Sequence, residues 1–271
     1  MMMNELQAPY ALTDKQIANF REQGFVKLKN VLAPAVLEHY GQEITEWVQR
    51  LNGQPKPMAE RATYEKAFLQ ITNLWQKSDL VKEFCFSRRL ARLASELMGT
   101  RGVRMYHDQA LYKEAGGGKT PWHADQFYWP FSSPNTCTVW VPLQAVPREM
   151  GPLAFSVGSH KYHVGRDLAI SDESETRISK ALLEKELPME ESPFDLGEVS
   201  YHAGWTFHRA GGNNTALPRR VMTIIYMDAD IRVAAPANKS QQVDWDAWLP
   251  GTKLGEVPDT PLNPVLYEAA G

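Results

Sequence analysis

VRMYHDQALYKE, residues 103–114, is where the character of this chain changes. Upstream, apolar residues recur at helical spacing. Within this stretch they are β-branched or aromatic and alternate with polar ones, the pattern of a half-buried strand. The same texture returns in CTVWVPLQ (137–144), PLAFSV (152–157), GEVSYHAGWTFH (197–208) and RRVMTIIYMDADIRV (219–233), with Gly, Pro and Asn between the runs. Short strands at this density predict an antiparallel β domain, a double-sheet jelly roll.

Working back from residue 103, DKQIANFREQ (14–23) reads as a helix capped by Thr13 or Asp14 and stopped at Gly24. FVKLKNVL (25–32) alternates like a strand. Residues 33–53 start with Pro34, keep helical apolar spacing and end at Gly53. Residues 78–99 suggest two more short helices. The expected organisation is one domain over 1–271: a helical front (about 10–100) packed on a jelly-roll core (about 103–235), with a polar, acidic, lid-like insertion at 166–195 and a C-terminal extension at 236–271.

The bulk composition excludes several classes. At 43% hydrophobic and 23% charged, 271 residues can bury a substantial core. The net charge of −3 and the lack of a basic stripe argue against a nucleic-acid partner or an anionic membrane. Apolar runs such as VMTIIYM (221–227) are too short to span a bilayer. MMMNELQAPY has neither a basic nor an apolar region of signal-peptide type, and two cysteines, Cys85 and Cys137, make no disulfide framework. A cytoplasmic setting is expected.

His123-Ala124-Asp125 lies inside PWHADQFYWPF (121–131). On extended backbone, residues i and i+2 share a face, so both side chains can turn to one metal. Two histidines and one carboxylate on one face of an octahedron suit oxygen-activating Fe(II). The tripeptide alone is weak, because a hydrogen-bonded structural histidine explains it as well. FHRAGGNNTALPRR (207–220) adds His208 on a strand, a turn-rich link, and Arg219–Arg220 opening the next strand. Were those two strands paired, an arginine would face His208 and offer a bidentate site for a carboxylate. His107 and Asp108 are adjacent, on opposite faces, and read as structural. His202 is a candidate to support His208, Cys137 is inert core, and AGGGK (115–119) is a hairpin loop.

WHADQFYWP, TVWVPLQ, MGPLAFSVGSHK and the spacing H-x(4)-N-x-T-x(3)-R together resemble the phytanoyl-CoA dioxygenase-like family of Fe(II)/2-oxoglutarate oxygenases. The opening DKQIANFREQGFVKLKNVL and the strand DQALYKEAGGG resemble that family too, so the likeness runs over about residues 14–228. It implies a double-stranded β-helix core with iron held by His123, Asp125 and His208. Arg219 would bind the distal carboxylate of 2-oxoglutarate, with Trp140, Gln109, Gln70 and Lys113 around the cosubstrate. His160 falls in a structural turn. Fe(II), 2-oxoglutarate and O₂ are the implied cofactors, with release of succinate and CO₂. The aromatic run would line a dry cavity, and Tyr106, Phe127, Trp129 and Trp205 are the expected substrate contacts.

Because Asp125 is present, hydroxylation of a small organic molecule is favoured over halogenation. A desaturase, epoxidase or cyclase would use the same centre. A non-catalytic metal-binding jelly roll and a zinc hydrolase are the readings from other classes.

Overall fold

The computed structural model of the protein describes residues 2–54 and 56–269. Helix α1 (Met2–Gln7) precedes α2 (Asp14–Gln23), which opens with a capping box between Thr13 and Gln16 and stops at Gly24 with φ 85°. Strand β1 (Phe25–Leu28) leads into α3 (Pro34–Leu51). The front continues through α4 (Thr63–Ala67), β2 (Leu69–Thr72), α5 (Asp79–Cys85) and α6 (Arg88–Met98). Sequence spacing anticipated α2, β1, α3, α5 and α6. It missed α1, α4 and β2, which are too short to show a period.

From residue 102 the chain is mainly strand: β3 (Gly102–Lys113), β4 (Thr120–His123), β5 (Thr136–Pro142), β6 (Leu153–Ser156), β7 (Met189–Glu190), β8 (Val199–Ala203), β9 (His208–Ala210), β10 (Arg219–Asp228) and β11 (Val265–Glu268). Helix α7 (Asp172–Glu184) precedes β7, and α8 (Lys239–Trp248) follows β10. The large sheet runs β1-β8-β5-β10-β3-β11, with β2 also on β3; the small sheet runs β4-β9-β6-β7. All pairings are antiparallel, as a jelly roll requires.

Parity along the strands decides what faces the site. On β10, Met222, Ile224 and Tyr226 join Val36, Tyr40 and Leu93 in the core between the large sheet and the helices. Each such side chain contributes about 1.5–3 kcal/mol by burial. Arg219, Val221 and Thr223 therefore point the other way, between the sheets. There Phe25 stacks on Phe155, with ring centroids 4.4 Å apart. β3 follows the same alternation until a bulge, where Ile225 pairs with His107 and Tyr226 with Met105.

Two local readings are corrected here. Residues 115–119 are not a hairpin loop, because β3 lies in the large sheet and β4 in the small one. They form a corner between sheets. Likewise GEVSYHAGWTFH is not one strand. It leaves the large sheet after Ala203 and enters the small sheet at His208. Gly204 sits at that crossing, where an added Cβ would lie 2.3 Å from Thr136 Oγ1 and 2.5 Å from Gln126 Oε1. Only glycine lets the chain pass so close to residues 125–128.

The acidic segment 166–195 is ordered. Ile178 and Leu182 of α7 pack with Trp122 and Phe207 on the outside of the small sheet. Among the described residues, no helix is long and apolar enough to cross a membrane.

Candidate active site

His123 closes β4 and pairs directly with His208, the first residue of β9. Ala124 continues the extended backbone, and Asp125 opens a tight 3₁₀ turn over Asp125–Tyr128. The i, i+2 relation therefore holds for His123 and Asp125. The Nε2 atoms of both histidines lie 3.6 Å from Asp125 Oδ1. One ligand atom from each of the three residues lies within 4.8 Å of the others.

The hydrogen bonds fix which atoms are free. His123 Nδ1 donates to the Pro121 carbonyl at 2.8 Å, and His208 Nδ1 to the Thr206 carbonyl at 3.0 Å. A carbonyl only accepts, so each Nδ1 carries the hydrogen and each neutral ring presents a bare Nε2. Burial holds both imidazoles down at about 4, with His208 adding to the effect on His123. Burial alone would push the Asp125 carboxyl up. Positive charge on the neighbouring His208, His202 and His123, together with the His202 hydrogen bond, outweighs it and holds the group well below the usual carboxylate range; a metal cation among the neutral rings would act in the same direction.

Asp125 Oδ2 is occupied separately. It accepts from Thr138 Oγ1 at 3.0 Å and His202 Nε2 at 3.2 Å. Oδ1 is thereby turned toward the histidines. Three lone-pair atoms that converge without a proton between them repel one another unless a cation lies among them. Ligands at ~2.1 Å and right angles stand about 3 Å apart, close to the spacing found. The donor set fits a first-row divalent metal with positions left open.

A second group lies on the inner face of the large sheet. Arg219 pairs in register with Lys113, and both side chains are buried. Their protein partners are neutral oxygens: Lys113 donates to the Gly118 carbonyl and Thr120 hydroxyl, Arg219 Nη1 to the Gly151 carbonyl. Arg219 Nε has no partner among the described residues. Gly151, with φ 69°, has no room for a side chain, because an added Cβ would collide with the Gly211 carbonyl oxygen. The guanidinium carbon is 5.4 Å from the Trp140 ring centroid. Burial, with Arg219 beside it, lowers Lys113 to about 6, and burial lowers Arg219 to about 9. A buried guanidinium with only a neutral partner among the described residues calls for a bound anion, and an anion there would draw a proton back onto the neighbouring Lys113.

One cavity of about 730 Å³ joins the metal-ligand set to Arg219; Lys113, expected beside the cosubstrate, lies next to Arg219 but does not line the cavity. Gln70, Gln109, Trp129, Trp140 and Arg219 line it beside His123, Asp125 and His208. Tyr64 donates to Gln70 Oε1 at 2.7 Å, and Gln70 Nε2 to Gln109 Oε1 at 2.6 Å. Arg220 faces away and donates to Gln144. β9 and β10 lie in different sheets, so Arg219 is not paired opposite His208 as a hairpin would place it.

Three expected substrate contacts do not line the cavity. A strand would have put Phe127 on the same face as Asp125. In a 3₁₀ turn residues i and i+3 eclipse instead, so Tyr128 takes that place. Phe127 is buried against Tyr128, and its carbonyl accepts from Asn238 and Gln241 near and on α8. Tyr106 is the bulged residue of β3 and packs behind Trp129, while His107, read as structural, reaches the cavity. Trp205 turns with the sheet crossing into a separate groove beside Arg166. Asp108 keeps a structural role, accepting from the Leu74 and Trp75 amides.

The sequence reading also missed Tyr64, Asp244 and Trp248, which line the outer half of the cavity from α4 and α8. Of residues 166–195, Ile170 reaches it, and the Ile170 amide donates to the Tyr128 hydroxyl.

The phytanoyl-CoA dioxygenase family profile matches residues 20–221. The chain is 24% identical over 251 residues to a methylphosphonate hydroxylase of Gimesia maris, covering 86% of this chain and 90% of that protein. Among solved structures it resembles the non-heme α-ketoglutarate-dependent carbocyclase SnoK from nogalamycin biosynthesis, with TM-score 0.76, 22% identity and coverage of 95% and 99%. It also resembles the epimerase SnoN in complex with Fe³⁺, α-ketoglutarate and nogalamycin RO, with TM-score 0.74, 26% identity and coverage of 94% and 98%.

Proposed function

The chain belongs to the phytanoyl-CoA dioxygenase family of Fe(II)/2-oxoglutarate-dependent oxygenases, and we propose that it hydroxylates a small organic metabolite in the cavity built on His123, Asp125 and His208. The observation that carries this reading is the joining, in one cavity, of a three-residue metal-ligand set and the buried Arg219, whose only protein partner among the described residues is a neutral carbonyl.

In this reading His123 Nε2, His208 Nε2 and Asp125 Oδ1 hold the iron. Arg219 holds the far carboxylate of 2-oxoglutarate, with Lys113 adding positive charge behind it and Trp140 and Gln109 walling the cosubstrate. Iron bound there with 2-oxoglutarate and O₂ supplies the oxidation, releasing succinate and CO₂. Thr138 and His202 fix the rotation of the Asp125 carboxylate, so that one oxygen alone faces the histidines. The Pro121 and Thr206 carbonyls fix both ring tautomers. Trp129, Tyr128 and Phe68 keep water from the reacting carbon. The whole chain acts as one oxygenase unit, with α8 forming part of the cavity wall. A small-molecule substrate without a nucleic-acid partner agrees with the net charge of −3 and the lack of a basic stripe, and a cytoplasmic setting is part of the same proposal.

The test is succinate release from 2-oxoglutarate by the purified protein with Fe(II) and O₂, with Asp125→Ala as control. Succinate from wild type but not the variant supports the reading. Succinate from neither, in protein shown to bind Fe(II), would sink it. Hydroxylation then adds one oxygen to the product mass, while desaturation and ring closure each remove two hydrogens and are told apart by NMR.

A further inference from the structure

The outer half of the cavity is built by residues with no part in holding metal or 2-oxoglutarate in the reading above. Helix α8 presents Ser240, Asp244 and Trp248 to it at four-residue spacing, one face of the helix. His107, Tyr128 and Trp129 line the same space. Asp244 Oδ2 accepts from the Tyr106 hydroxyl at 3.1 Å, and Oδ1 has no protein donor among the described residues.

The other charged groups lining the cavity are committed elsewhere. Asp125 faces the two histidines, and Arg219 is taken by the 2-oxoglutarate carboxylate in the reading above. Lys239 is exposed at the start of α8, where its ammonium keeps its hydration. Asp244 is therefore a half-buried carboxylate without a cation. Burial raises it to about 7 against the Tyr106 hydrogen bond, and the charge of Asp125 adds to the rise. A bound cation would return it to its ionised form; a bound anion would meet a second negative charge. Aromatic side chains in the same space suit a protonated or quaternary nitrogen, which is drawn to ring faces.

We propose that Asp244 selects the substrate, and that the substrate is a small organic molecule carrying a positively charged nitrogen. This rests on the oxygenase reading for the word substrate, while the binding claim concerns the cavity itself. It separates this chain from the methylphosphonate hydroxylase it resembles, whose named substrate is an anion.

The test is calorimetry on the full chain with Fe(II) and 2-oxoglutarate, without O₂. Three probes are compared: choline, its neutral isostere 3,3-dimethylbutan-1-ol, and methylphosphonate. Choline is expected to bind wild type at least tenfold tighter than the isostere, with no heat from methylphosphonate. Asp244→Asn keeps an oxygen for Tyr106 and should erase the preference for choline. Should that variant fold poorly, Ser240→Lys, at a partly exposed position, should reverse the preference by placing a cation beside Asp244. Choline binding no tighter than the isostere in wild type, a preference that survives both substitutions, or methylphosphonate binding in the wild-type cavity would overturn the proposal. Absence of 2-oxoglutarate binding in the same samples would instead overturn the oxygenase reading, and the substrate assignment with it.

Discussion

The two ends of the cavity are made in different ways. At the inner end, His123, His208, Arg219 and Lys113 sit on paired strands, and Asp125 on the turn directly following one. They are close in sequence to one another or at a fixed offset across one link; His208, Arg219 and Lys113 are buried, and His123 and Asp125 are largely so. At the mouth, Tyr64 comes from a five-residue helix, His107 from a bulged strand, and Asp244 and Trp248 from a helix after the last core strand. Chemistry common to a family is held by rigid neighbours, while the part that meets the substrate is gathered from loosely constrained elements.

Substitutions can break or sharpen that contrast. The largest effect is expected for Arg219→Ala. Truncating a buried charge partner costs about 2–5 kcal/mol, roughly thirty- to several-thousand-fold in affinity. 2-Oxoglutarate affinity, measured by calorimetry, should fall in that range while metal affinity holds. Equal loss of both would mean that the inner end is a single unit.

Next is His202→Ala, which leaves the metal-ligand set intact and removes one partner of Asp125 Oδ2. Metal affinity should fall about 10–100-fold, as is typical for groups that orient a ligand. An unchanged value in a metal-competition titration would show that Thr138 alone positions the carboxylate.

Lys113 gives a pH signature. Its folded value is depressed from 10.5 to about 6. Between those values the unfolded chain holds a proton that the folded chain has lost, so its burial costs stability most below pH 6 and nothing above about 10.5. Stability of the protein free of 2-oxoglutarate should thus rise with pH across that window. Lys113→Met should flatten the rise in thermal melts, and 2-oxoglutarate binding at pH 8 should take up a proton in wild type only. Proton uptake persisting in the variant would assign the linkage to another group.

The smallest effect is expected for Tyr64→Phe. It removes one hydrogen bond of the Tyr64–Gln70–Gln109 chain, about 0.5–1.5 kcal/mol, so 2-oxoglutarate affinity should fall less than about tenfold. A larger loss would move Tyr64 from the mouth to the inner end of the comparison.

The sequence carried the inner end because its signals are local. The His-x-Asp tripeptide, the eleven-residue offset from His208 to Arg219, and strand alternation each survive without tertiary knowledge. Alternation required one of Arg219 and Arg220 to face inward, and the family offset pointed to Arg219. The mouth was illegible for equally physical reasons. A bulge at Tyr106 broke the alternation just beyond His107, which keeps the inward parity of Gln109, and a 3₁₀ turn exchanged Phe127 for Tyr128. Neither device has a clear signature in residue type. Helix α8 has polar residues on most positions and buries little, so nothing in its pattern tells that one of its faces meets a cavity. Gly204 passed for a residue inside one strand, and the run Gly116-Gly117-Gly118 for a hairpin loop, although both lie where the chain passes between sheets.

The central claim is that His123, Asp125 and His208 hold iron while Arg219 holds 2-oxoglutarate beside it. Its most direct test is an anaerobic visible absorption titration of the protein with Fe(II) and 2-oxoglutarate, run beside Asp125→Ala and Arg219→Ala. The account predicts a metal-to-ligand charge-transfer band that needs both additions, is lost in Asp125→Ala and requires far more 2-oxoglutarate in Arg219→Ala. No band in wild type, or a band of equal strength in both variants, would contradict it.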